Sequence, residues 1–177
     1  MKIKIHDKSF IPFLSSTEIK EAVKRIAEQI NEEYKGKNPL CIAILNGSFM
    51  FASDLFKLLN IDAEISFIKL ASYKGTSSTG TVVTAIGLEA ILHNRDIIII
   101  EDIVDTGRTL SAFIPQLMDH QPHSLKICSL LHKKEATTHP IKIDYLGFEI
   151  PNLFVVGYGL DYDGLGRNLD QIMQVEV

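Results

Sequence analysis

Ile97-Ile98-Ile99-Ile100-Glu101-Asp102-Ile103-Val104-Asp105-Thr106-Gly107-Arg108-Thr109-Leu110 is the stretch whose reading decides the fold. Four consecutive isoleucines are β-branched and apolar on both faces, as a central parallel strand must be when helices cover it on each side. The acids that follow then stand at the strand's carboxyl end. In open α/β sheets ligands bind in the crevice at that end, before the next helix begins. Asp105-Thr106-Gly107-Arg108-Thr109 adds successive backbone N–H groups, two hydroxyls, a glycine and a guanidinium beside a helix N-terminus. Such a turn cradles phosphate. Carboxylates accept hydrogen bonds from hydroxyls and hold divalent cations, so acids next to a phosphate cradle suit a sugar phosphate. The plainer alternative is a strand-end turn in which Asp105 caps the following helix.

Outward from this segment, helical and strand patterns alternate. Ile19, Ala22, Val23, Ile26 and Ile30 fall at helical spacing behind Ser15-Ser16-Thr17-Glu18, a capping-box pattern, and predict a helix over 16–34 that Gly36 ends. Leu40–Leu45 reads as a buried strand, Phe49–Leu59 as a helix, Ala63–Lys69 as a strand and Ile97–Ile100 as the central strand. Leu110, Phe113, Ile114 and Leu117 mark a helix after the phosphate turn, and Leu125–Leu131 and Leu153–Val156 return as strands. This order implies an α/β fold, a central parallel sheet flanked by helices with right-handed crossovers. Pro115 falls inside one of these helices, where proline removes a backbone bond, so that helix either kinks or starts late.

The length of 177 residues suits one domain over 1–177, with no Pro/Gly/Ser-rich linker. A formal charge of −4 with no Lys/Arg run argues against nucleic acid or a membrane surface as partner and favours a small molecule. No apolar stretch approaches the roughly 20 residues that span a bilayer, and the opening Met1-Lys2-Ile3-Lys4-Ile5-His6-Asp7 has no signal-peptide core, so a cytoplasmic protein is expected. Cys41 and Cys128 lie in apolar runs and read as reduced thiols packed as small hydrophobes. The six histidines show no zinc-site spacing.

Glu101 to Thr109 also resembles the phosphoribosyl-pyrophosphate signature of the type I phosphoribosyltransferases, in the form carried by hypoxanthine and hypoxanthine-guanine phosphoribosyltransferases. Leu45-Asn46-Gly47-Ser48-Phe49-Met50-Phe51 is similar to the family's pyrophosphate loop, and Ser72-Tyr73-Lys74-Gly75-Thr76-Ser77-Ser78-Thr79-Gly80 to its mobile catalytic loop. Ser129-Leu130-Leu131-His132-Lys133-Lys134, then Gly147-Phe148-Glu149-Ile150-Pro151 through Asp161-Tyr162, resemble its purine-binding region.

The resemblance implies a fold with a small hood formed by the chain ends, and transfer of a phosphoribosyl group from its pyrophosphate to a 6-oxopurine, with Mg2+ as cofactor. It implies that Glu101 and Asp102 hold the ribose hydroxyls and help place metal, that Asp105 is the general base, and that Thr106, Gly107, Arg108 and Thr109 bind the 5-phosphate. Gly107 is expected to be constrained because a side chain would obstruct the phosphate's approach. Leu45, Asn46, Gly47 and Arg167 would meet pyrophosphate, with a cis peptide between Leu45 and Asn46. Ile103, Lys133, Phe154, Val155 and Asp161 would form the purine site: Lys133 donating to the 6-oxo group, Phe154 stacking, Val155 meeting the base edge through its backbone, and Asp161 also binding metal. Taken alone, Lys133 reads as a solvated surface lysine. Ser72 and Tyr73 would open a catalytic lid over the reacting centre.

Where many members carry lysine in the pyrophosphate loop, this chain has Asn46, which removes a positive charge there. The resemblance further implies a homodimer or homotetramer, with the apolar helix from Phe49 to Leu59 as the candidate interface. Competing readings are a transferase of different base specificity, a non-catalytic nucleotide- or RNA-binding regulator on the same fold, and a dinucleotide binder. No Gly-x-Gly-x-x-Gly or Walker-type turn is present to support the last.

Overall fold

The computed structural model describes residues 2–74, 81–87 and 90–176, with the backbone alone for 71–74 and 81–86. Strand β6 (Asp96–Val104) lies between β3 (Leu40–Leu45) and β7 (Ser124–His132), parallel to both. Beyond them, β4 (Glu64–Lys74) pairs with β3 and β8 (Tyr145–Glu149) with β7, again parallel, while β5 (Thr81–Ile86) runs antiparallel on the β4 edge.

The isoleucine run is buried on both faces, as its composition requires. Ile97 and Ile99 pack with Leu110, Phe113 and Leu117 of α3 (Arg108–Met118). Ile98 and Ile100 pack with Ile19, Val23, Ile26 and Ile30 of α1 (Ser16–Glu33) and with Phe51 and Leu55 of α2 (Phe49–Lys57). Cys41 and Cys128 are free and buried in that second layer, where burial pushes the Cys41 thiol up to about 12 and raises that of Cys128. The capping box is present: Ser15 Oγ accepts from the Glu18 N–H at 3.3 Å, and Glu18 Oε2 accepts from the Ser15 N–H at 2.9 Å. Pro115 sits on the exposed side of α3, which starts at Arg108 and runs on past it, the Asp119 N–H donating to the Pro115 carbonyl at 3.0 Å. The helix therefore does not start late.

Two expectations change. The central strand does not stop at Ile100; its ladder with β7 continues through Glu101↔Ser129 to Val104↔His132, so the first two acids ride on a strand. The strand expected at Leu153–Val156 shrinks to β9 (Val155–Val156) and leaves the parallel sheet. Its place beside β7 is taken by β8, whose central Gly147 interrupts the apolar pattern that would have marked it. β9 instead joins β1 (Ile3–Ile5), β2 (Lys8–Leu14) and β10 (Ile172–Val175) in an antiparallel sheet of order β1-β2-β10-β9. The two chain ends thus build a hood with a small core of its own, Ile5, Phe10, Val156 and Met173.

Ser15 joins the hood strand β2 to α1, so Ser15→Ala should lower stability by about 1 kcal/mol. A urea titration should show an earlier midpoint at unchanged slope.

Candidate active site

The carboxyl ends of β3 and β6 and the start of α3 meet at one edge of the sheet. A pocket of about 100 Å³ there is lined by Glu101 and by the run from Ile103 to Leu110.

Glu101 and Asp102 are held by strand geometry at the sheet's end. Glu101 Oε2 is enclosed and has no hydrogen-bond partner among the described residues. Burial, reinforced by the charge of Asp102, holds the Glu101 carboxyl well above the usual range. Burial likewise pushes Asp102 up to about 6; its own N–H, that of Ile103 and the Arg167 guanidinium pull it down, and Asp161 raises it. A Cβ on Gly47 would collide with Asp102 Oδ2, so the pyrophosphate-loop glycine is what allows that carboxylate its position.

Asp105 does not cap α3. The N-cap is Gly107, the Arg108 N–H of the first turn donates to Thr106 Oγ1 at 3.4 Å, and Asp105 Oδ2 instead accepts from Lys133 Nζ at 3.0 Å. The Lys133 side chain is only 10% exposed against 48% for Asp105, so this lysine is not a surface lysine. Its main chain is fixed too, with the Lys133 N–H donating to the Val104 carbonyl at 2.9 Å.

In the phosphate turn Thr106, Arg108 and Thr109 are exposed and Gly107 is buried. Gly107 has φ +77°, and a Cβ there would strike the His139 carbonyl. What constrains it is therefore a left-handed backbone and a neighbouring loop, rather than the approach of phosphate alone. That loop is strapped to the turn, the N–H groups of Thr138 and His139 both donating to the Thr106 carbonyl at 3.1 and 3.0 Å.

Across the cleft, Leu45 ends β3, its peptide to Asn46 is cis, and the Asn46 side chain is exposed. Gly159 of the hood abuts the Gly47 carbonyl so closely that a Cβ would clash with it. Arg167 donates to the Gly159 carbonyl through Nη1 at 2.7 Å and pairs with Asp161 through Nη2 at 2.8 Å, while the other Asp161 oxygen accepts from the Gly164 N–H at 2.7 Å. Phe154 is 43% exposed and meets Tyr162 edge-on, at 5.6 Å between ring centroids and 82° between planes. Val155 is buried in β9. Ser72 and Tyr73 lie on β4 opposite Val83 and Val82, but their side chains, and the lid segment 75–80, fall outside the described residues. The described residues contain no group of three or more acids, histidines or cysteines that forms a closed metal cage.

Sequence reasoning gave three participants no role of their own. Thr137, Tyr162 and Gly159 touch the Lys133 main chain, the Phe154 ring and the Gly47 carbonyl respectively. The Asp161-Tyr162 pair was within view of the purine-region match, whereas nothing local marks Thr137.

Residues 13–163 match the Phosphoribosyl transferase domain. The hypoxanthine-guanine phosphoribosyltransferase of Lactococcus lactis is 44% identical over 160 residues, covering 90% of this chain and 87% of that one. The chain belongs to the hypoxanthine-guanine phosphoribosyltransferase family. Its backbone superposes on a crystal structure of a Staphylococcus aureus hypoxanthine phosphoribosyltransferase with a TM-score of 0.88 at 38% identity, over 94% of this chain and 91% of that one. A Bacillus anthracis hypoxanthine-guanine phosphoribosyltransferase gives a TM-score of 0.84 at 34% identity, over 94% and 97%. The parallel sheet with its hood is thus the type I phosphoribosyltransferase fold, and no match supports the regulator or the dinucleotide binder. Among the described residues no helix is long and apolar enough to cross a membrane.

The raised Asp102 carboxyl has a consequence for stability. A carboxylate whose folded pKa exceeds its unfolded one costs the folded state as it ionises; that cost is absent below about pH 4, grows up to about pH 6 and is constant beyond. Asp102→Asn should stabilise the protein by on the order of 2 kcal/mol at pH 7.5, a gain that vanishes near pH 4. Thermal unfolding with a chelator present, at both pH values, reads the difference.

Proposed function

We propose that this protein moves the 5-phosphoribosyl group of phosphoribosyl pyrophosphate to a ring nitrogen of hypoxanthine or guanine, forming IMP or GMP and releasing pyrophosphate. The observation that carries the reading is the buried Lys133 donating to Asp105 at 3.0 Å, beside the N-terminus of α3. One pair thereby joins a purine-reading ammonium, a proton acceptor and a phosphate turn.

The new bond joins the purine nitrogen to the sugar's anomeric carbon as the bond from that carbon to pyrophosphate breaks. Asp105 takes the proton from the purine ring. A 6-oxo group accepts from Lys133 and so draws the ammonium off Asp105. Adenine's amino group offers the ammonium no acceptor, so the lysine stays on the carboxylate and the base is quenched. Phe154 supplies the exposed ring for stacking, Val155 meets the base edge with its backbone, and Ile103 packs below. Thr106, Gly107, Arg108 and Thr109 bind the 5-phosphate at the start of α3, where exposed N–H groups and the helix dipole favour an anion.

Glu101 and Asp102 fit ribose hydroxyls and a hard divalent cation: an enclosed oxygen without a partner and a carboxyl raised to about 6 both call for a donor or a positive charge. Asp161 adds a third carboxylate on the Arg167 side. Magnesium, when bound, offsets the charge of the departing pyrophosphate. Leu45, Asn46 and Gly47 present their backbone to that group, and Arg167 supplies its guanidinium. Ser72 and Tyr73 open the lid that excludes water from the donor.

The reading takes residues 1–177 as one catalytic domain working in the cytoplasm, which the two buried free thiols support. It takes the assembly as a homodimer or homotetramer; Phe49 and Leu58, 42% and 45% exposed at either end of α2, support an interface there.

The test is magnesium-dependent pyrophosphate release with hypoxanthine, guanine, xanthine and adenine in parallel. Hypoxanthine and guanine should turn over, adenine at least about 100-fold more slowly. Asp105→Asn should cut the rate by about 100-fold or more. Nucleotide binding without turnover on any base would make the protein a binder instead.

A further inference from the structure

We propose that Thr137 is a positioning residue, whose single hydroxyl keeps the main chains of Asp105 and Lys133 in the register that lets the ammonium pass from the carboxylate to the purine oxygen. This inference rests on the transfer reaction above.

Thr137 follows the short 3-10 turn Lys134–Ala136 and lies far in sequence from the phosphate turn. Its Oγ1 is 3.1 Å from the Asp105 carbonyl and 3.1 Å from the Lys133 carbonyl, and His132 Nε2 stands 3.0 Å away. A hydroxyl has one proton and two lone pairs, so it donates to one carbonyl at a time and accepts from His132 when Nε2 carries the ring proton. The two carbonyls belong to the residues whose side chains form the ion pair. The hydroxyl thus bridges base and reader through their backbones, and its proton can shift between them as the side-chain pair opens.

The rest of the loop does not need this side chain. Thr138 and His139 hold the Thr106 carbonyl with main-chain N–H groups, and the His139 carbonyl fills the space beside Gly107. Loss of the Thr137 hydroxyl therefore leaves the phosphate turn strapped while freeing the link between Asp105 and Lys133. That separation makes a positioning role distinguishable from a structural one.

Steady-state kinetics of wild type, Thr137→Val and Thr137→Ser, with hypoxanthine and adenine, test it. Thr137→Val should lower kcat for hypoxanthine by about 10-fold or more, the scale on which small misplacements act, and leave adenine turnover unchanged, so that discrimination narrows by about the same factor. KM for phosphoribosyl pyrophosphate should stay within about twofold, and Thr137→Ser should recover most of kcat. Thr137→Ala, smaller than the native residue, replaces valine if valine disturbs the loop. Unchanged kcat in the variants, a parallel rise in KM for the donor, or failure of serine to restore the rate would overturn the proposal. A wild type inactive on every base would remove the reaction itself, and this role with it.

Discussion

A strand covered by helices on both faces can carry a charge only where the cover ends. Ile97–Ile100 are buried by α3 on one side and by α1 and α2 on the other, so β6 is fixed as the sheet's axis. Its ladder with β7 then continues through Glu101 to Val104. The acids consequently stand on rigid backbone at the rim of the apolar layer, without the freedom of a loop. Precise placement of ligand groups favours such a scaffold. The same burial that anchors the strand leaves Glu101 Oε2 without a partner among the described residues and raises both carboxyls. Stability and readiness to bind are here opposed consequences of one element.

The charges of the site share a common arrangement. Lys133 is matched to Asp105 and Arg167 to Asp161, each pair at hydrogen-bond distance, while Glu101 and Asp102 have no such cation. A ligand that brings anionic phosphates, hydroxyl donors and a divalent cation can exchange with every one of these contacts. In the proposed reaction phosphate competes for Arg167, a purine oxygen for Lys133, and hydroxyls or the cation meet the unmatched acids.

Much of this was legible in residue types. The isoleucine run, the capping box at Ser15 and Glu18 and the apolar spacing of α1 and α3 each reflect a local rule; α1 formed within a residue of its expected bounds, while the isoleucine strand runs on to Val104. The hood strands β1, β2 and β10 were missed on pattern; β2 pairs with β10 across almost the whole chain length, a relation no local window contains. Lys133 misled for a related reason. Lysine next to Lys134 looks solvated, and only the fold, by bringing Asp105 to it across 28 positions, makes burial tolerable. Asp105 kept helix capping as its plainer alternative until the structure gave that position to Gly107. Thr137 carries no signal at all, since its importance lies wholly in two carbonyls contributed by other turns.

Gly47 is where the two halves of the molecule become one site. On one side it lies against the Asp102 carboxylate of the sheet, and on the other its carbonyl receives Gly159 of the hood, in both cases with no room for a side chain. Gly159 is in turn held by Arg167, and Arg167 by Asp161, so the contact extends from the acid pair to the edge of the purine shelf without leaving hydrogen-bonded or packed neighbours. The hood is packed on the sheet layer as well, with Val155, Tyr158, Leu160 and Ile172 in one core with α1 and α2. The meeting point is backbone on backbone, so the hood and the Gly47 loop are in direct packing contact there with the Asp102 carboxylate behind. In the proposed reaction the residues for the base at Phe154 and for the leaving group at Gly47 are therefore connected through a residue whose contribution is the side chain it lacks.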